Sequence, residues 1–77
     1  MADAKVPRIK RGEAIRAFCR AGFELDREGK KHSIYKKPGH RYHLSIPRHP
    51  GKTLGTSLLR SLIEAAGLTV EQFNDLL

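Results

Sequence analysis

The chain has one cysteine, no tryptophan and no apolar run approaching the ~20 residues a bilayer-crossing helix needs. A lone Cys19 can make neither an internal disulfide nor a zinc site by itself. It lies on the apolar side of the first helical stretch, where the expectation is a small buried hydrophobe. The N-terminus lacks the apolar core of a signal peptide, so the expected setting is cytoplasmic, with no membrane partner. The last absence is local. Acidic residues occur at Asp3, Glu13, Glu24 to Glu28 and Glu64 to Asp75, and none falls between Lys30 and Lys52.

What that acid-free stretch does hold is KKHSIYKKPGHRYHLSIPRHPGK, with all four histidines and Lys30, Lys31, Lys36, Lys37, Arg41, Arg48 and Lys52. The whole protein carries a formal charge of +7 and a sequence pI near 10.1. Basic charge gathered in one segment is the electrostatic footprint of a polyanion binder. A chain of 77 residues makes one domain with a thin core.

Residues 1–5 are polar and read as a flexible tail, leaving 6–77 as the folded domain. From Arg11 to Ala21, the spacing of Ala14, Ile15, Phe18 and Cys19 predicts an amphipathic helix ended by Gly22. Phe23 and Leu25 alternate with Glu24 and Asp26, which predicts a half-buried strand. A second strand runs through His32-Ser33-Ile34-Tyr35-Lys36-Lys37, with Ile34 inward and Tyr35 outward. Pro38-Gly39 turns the chain. In the third strand Tyr42, Leu44 and Ile46 share one face, while Arg41, His43 and Ser45 share the other. A helix begins near Gly55-Thr56 and buries Leu58, Leu59, Leu62, Ile63 and Ala66 before Gly67. Thr69 to Gln72 fits a capping box, followed by a short helix with Val70, Phe73 and Leu77 apolar. The fold class is therefore α+β, in the order α-β-β-β-α-α. It is a single small domain whose three-stranded antiparallel sheet carries helices on one face.

RNA supplies its own nucleophile, the 2′-hydroxyl. Cleavage needs a base for that proton, cations for the developing phosphorane charge and an acid for the leaving oxygen. An imidazole can do either proton job near neutral pH. His32, beside Lys30 and Lys31, suits proton transfer and phosphate contact equally well. His49, after the third strand, is placed either to carry a second proton or to cap its loop. Tyr35 can stack on a base or serve as a strand residue. His40, His43 and His49 do not converge as metal ligands, and no metal or cofactor is expected. Two function classes follow: an RNA-cleaving enzyme, or an RNA-binding module using the same basic face. A DNA-binding domain fits less well, because no helix shows a basic recognition face.

Segment by segment the chain resembles HicA-type toxins of toxin–antitoxin modules. The matching pieces are Pro7-Arg8, Arg16-Ala17-Phe18, Ala21-Gly22-Phe23, His32-Ser33-Ile34-Tyr35, Ile46-Pro47-Arg48-His49, Gly51-Lys52-Thr53-Leu54, Leu59-Arg60-Ser61-Leu62 and Ala66 to Phe73. The resemblance implies a fold like that of double-stranded-RNA-binding domains. It also implies a metal-independent endoribonuclease that cuts mRNA and is held off by a HicB-like antitoxin covering the active site. DNA would then be reached only indirectly, through the antitoxin complex. The catalytic histidine implied is His32; the residues of the basic stretch themselves offer Lys30, Lys31, Tyr35, Lys36, Arg48, His49 and Lys52 as RNA contacts. In the family that histidine usually follows Gly-Ser; here Lys30 and Lys31 precede it, which replaces close backbone approach to a phosphate with charge.

Overall fold

The structure, a computed structural model, describes residues 5–48 and 53–77. Most of the expected tail, and the positions of His49 and Lys52, lie outside those residues. Helix α1 (Arg11–Arg20) is followed by strands β1 (Glu24–Glu28), β2 (His32–Lys36) and β3 (Leu44–Pro47), then helices α2 (Thr56–Ala65) and α3 (Val70–Asp75). The strands form one antiparallel sheet in the order β1-β2-β3, which is the α+β architecture expected.

The core forms where α1, α2 and α3 meet one face of the sheet. Helix α1 buries Ala14, Ala17 and Phe18, and α2 buries Leu59, Leu62 and Ile63. The Phe18 ring sits between Phe73, with centroids 5.0 Å apart, and Phe23, edge-on at 6.3 Å. Burying each such ring contributes about 1.5–3 kcal/mol, so three rings from α1, the α1–β1 turn and α3 tie the thin core together. Gly22 adopts a φ of 105° at the end of α1, a conformation that favours glycine. Thr69 and Gln72 close the expected capping box on α3.

Five side-chain placements differ from expectation. In β2 the inward residues are Ser33 and Tyr35, while Ile34 is half-buried on the other face. Register explains this: Tyr35 faces Leu44 and Ser33 faces Ile46, and direct cross-strand partners share a face. Once Leu44 and Ile46 enter the core, Ser33 and Tyr35 must follow. Strand β3 starts only at Leu44, so Tyr42 is outside the ladder and exposed. The chain before it is diverted by His40, which docks on the end of α2. Strand β1 is exposed throughout, Leu25 included. It is an edge strand with a register shift between Leu25 and Arg27, and such a bulge twists an edge away from its sheet. Cys19 is exposed, because α1 centres its buried face on Ala14, Ala17 and Phe18 and leaves Cys19 on the flank.

Candidate functional site

His32 opens β2 at the end of the sheet where β3 stops, with Pro47 as its cross-strand partner. Its side chain is exposed, on the strand face opposite Ser33 and Tyr35. Among the described residues no hydrogen bond reaches the imidazole; the backbone around it is held instead. The Gly29 N–H donates to the His32 carbonyl at 2.8 Å, and the Arg48 N–H donates to the Lys31 carbonyl at 2.8 Å. The Arg48 guanidinium donates to the Gly29 carbonyl at 2.9 Å, closing the β1–β2 turn over the end of β3. Lys30, Lys31 and Arg48 are all exposed around this turn.

Behind the turn, on the core side, stands a residue that nothing in the sequence singled out. Arg11, the first residue of α1, donates from Nε to the Pro47 carbonyl at 2.7 Å and from Nη2 to Ser33 Oγ at 2.9 Å. Ser33 is fully buried, and the bond from Arg11 gives its hydroxyl a partner there. Two further contacts bring the start of α1 towards the start of α2: Lys10 bridges Thr53, and the Leu54 N–H donates to the Ile9 carbonyl at 2.9 Å. A basic residue at a helix start is not distinctive in a chain with fifteen lysines and arginines, so sequence carried no signal for Arg11.

The remaining expected site residues are spread unevenly. Lys36 shares the His32 face but lies four residues along β2, ~13 Å away at the rise of a strand; its ammonium pairs with Asp26 at 3.2 Å. Tyr35 is 7% exposed, so its ring face is not open for a base to stack on. Burial pushes its phenol above the ordinary value; Cys19 and Glu28 push the same way, and Arg11 pulls back. His40 is committed to the fold. Its Nε2 lies 2.7 Å from the Ala65 carbonyl, which can only accept, so that nitrogen carries the proton. The same ring meets Phe23 edge-on at 5.4 Å. No three His, Cys, Asp or Glu side chains gather as metal ligands among the described residues. A groove of about 570 Å³ lies along α1, lined by Lys10, Gly12, Glu13, Arg16, Arg20 and Leu77, none of them an expected site residue.

A three-stranded sheet backed by helices, with an exposed histidine among two lysines and an arginine at one end, defines a small basic α+β domain. The family model described as HicA toxin of bacterial toxin-antitoxin matches residues 11–68. The chain belongs to that family: it is a HicA-type toxin of a toxin–antitoxin module, and a HicB-type antitoxin is the partner membership implies. No curated protein matches it. No helix among the described residues is long and apolar enough to cross a membrane.

Proposed function

We propose that residues 6–77 form a metal-independent endoribonuclease that cleaves mRNA, with His32 as the proton-transferring residue. The observation that carries this reading is the contrast at His32 between a fixed backbone and a free ring. An imidazole on a backbone-held strand end, exposed and without a hydrogen-bond partner among the described residues, is available to a ribose hydroxyl. As base, His32 takes the 2′-OH proton. The oxygen then attacks the adjacent phosphorus, the bond to the 5′ oxygen breaks, that oxygen takes a proton from water and leaves as a 5′-hydroxyl, and a 2′,3′-cyclic phosphate is left on the other fragment. Lys30 and Lys31 meet the charge that grows on the phosphorane oxygens. Arg48 is half-committed to the Gly29 carbonyl and offers its remaining donors to the backbone of the RNA. Lys36 extends that track along β2. His49 and Lys52 extend the same reading past the end of β3. The antitoxin silences the enzyme by covering this end of the sheet, with acidic side chains that complement its field.

The test is a comparison of wild type with His32→Ala on a long mRNA in excess EDTA. Cleavage is expected to fall by ~10²–10⁴, the worth of a positioned acid or base, while RNA affinity persists because the lysines remain. Wild-type products should carry cyclic phosphate ends. Equal cutting by the two proteins would remove His32 from the chemistry; binding without cutting in both would make this a pure RNA-binding module.

A further inference from the structure

One guanidinium grips both residues that flank His32. Ser33 is its neighbour in the chain and Pro47 its partner across the sheet, and Arg11 donates to one at 2.9 Å and to the other at 2.7 Å. Both bonds are made on the buried side of the strands, away from the face His32 presents. Ser33 is 0% exposed, and Arg11 is itself partly buried. The single ion pair among the described residues is Lys36 with Asp26, so Arg11 spends a partly buried charge on two neutral acceptors. A partly buried cation without a carboxylate adds little to stability, whereas a planar fork that spans two strands fixes their relative position.

The N-terminus of α1 needs this fixing. Its N-cap, Lys10, makes no side-chain capping bond, so Arg11 and the Ile9–Leu54 backbone bond are what dock that helix end. The imidazole of His32 has no side-chain partner among the described residues to aim it, so its placement is inherited from the backbone at Ser33 and Pro47.

We propose that Arg11 is a positioning residue for His32, acting through Ser33 and the Pro47 carbonyl and not through the substrate. This rests on the reading of His32 as the proton carrier. Arg11 joins the catalytic strand end to α1 from behind, so the register of β2 against β3 sets the angle at which the ring meets the ribose. Misplacement of a reacting group by about an ångström is enough to cost ~10²-fold in rate.

The experiment compares wild type, Arg11→Lys, Arg11→Met and Ser33→Ala, with His32→Ala as the blank, well below each protein's melting temperature. Cleavage is followed as separate kcat and KM values, and the Arg48 amide is followed by hydrogen exchange because its bond to Lys31 reports the strand end. Both Arg11 variants are expected to lose ~10–100-fold in kcat with KM unchanged, and to expose the Arg48 amide to faster exchange. Ser33→Ala should move in the same direction by less, since the Pro47 bond survives. If Arg11→Lys keeps wild-type kcat, charge alone suffices and the proposal falls. If KM rises at constant kcat, Arg11 touches RNA and the proposal also falls. Should Arg11→Met fail to fold, Arg11→Lys and Ser33→Ala decide the matter. Should wild type cut no faster than His32→Ala, the functional reading fails, and the Arg48 amide still decides whether the clamp exists: unchanged protection in all three variants overturns it.

Discussion

The two ends of the sheet each carry a histidine, and the structure treats them oppositely. At the end near α2, His40 is held by its ring: it donates to the Ala65 carbonyl, packs edge-on against Phe23, and comes close enough to Gly67 that a Cβ there would stand 3.2 Å from Cε1. At the other end His32 is held by its backbone, and its exposed ring has no hydrogen-bond partner among the described residues. A ring already hydrogen-bonded and packed cannot reorient to pick up and deliver a proton without breaking the contacts that define it. A ring that is free but mounted on a fixed strand can. On the reading proposed for His32, the distinction between a structural and a reactive histidine lies in which part of the residue the fold holds.

The largest effect expected is at the free ring. His32→Ala should remove nearly all cleavage, by the factor given above, and leave the melting temperature close to wild type because an exposed side chain contributes little to stability. His40→Ala should show the reverse pattern. It strips a donor from a part-buried carbonyl and removes an aromatic edge contact, together worth about 1–3 kcal/mol. In a domain of this size that lowers the melting temperature by roughly 4–8 °C per kcal/mol. Activity measured at a temperature where both proteins are folded should be retained. If His40→Ala abolished cleavage while folded, or if His32→Ala melted several degrees lower, the comparison of the two histidines would be reversed.

Much of this arrangement was legible beforehand. The helices, the three strands and the Thr69–Gln72 cap follow from spacing, because a 3.6-residue or two-residue period in apolar side chains survives whatever else packs nearby. His32 and its lysines were legible because charge clusters are visible without a fold. What was hidden depends on partners far along the chain. Tyr35 was expected outward and lies inward, since its direction is set by Leu44 opposite and not by its own neighbours. Ser33 carries no apolar signal for burial, and only the reach of Arg11 across 22 positions gives its buried hydroxyl a partner. Cys19 follows Phe18 in the apolar spacing, but the buried face of α1 centres on Ala14, Ala17 and Phe18 and leaves it exposed.

A smaller effect tests whether the free end is also where RNA is held. Lys30→Gln combined with Lys31→Gln removes two exposed charges beside His32 and touches nothing in the core. Each phosphate contact to a single strand adds ~0.7 to the slope of log affinity against log salt. The double variant should therefore flatten that slope by about 1.4 and weaken binding roughly tenfold or more at 0.1 M salt. The matching change at the other end, Lys37→Gln, should leave the slope nearer wild type; the Lys37 ammonium lies over the Phe23 ring, 5.9 Å from its centroid. An equal flattening from both ends would mean that RNA does not distinguish them.

The smallest effect concerns Tyr35, three residues from His32 on the same strand but buried. Its phenol is held above the ordinary value, first by burial, then by Cys19, with Glu28 adding and Arg11 opposing. A raised value in the folded state fixes the sign of the pH dependence. Below about pH 10 the phenol is protonated whether the chain is folded or not, and the folded state loses nothing. As the pH climbs past that point the unfolded phenol ionises first and draws the equilibrium towards unfolding, until the folded phenol ionises as well. Wild type should thus lose stability above about pH 10 more steeply than Tyr35→Phe, in which lysine titration continues but this contribution is gone. Denaturant melts of the two proteins between neutral pH and pH 11 measure the difference directly. RNA affinity should be the same in both at neutral pH, as expected of a ring that faces the core. Parallel stability curves up to pH 11 would show that the phenol ionises as freely in the folded chain as in the unfolded one, and would place Tyr35 nearer the surface, on the side of the comparison that His32 occupies.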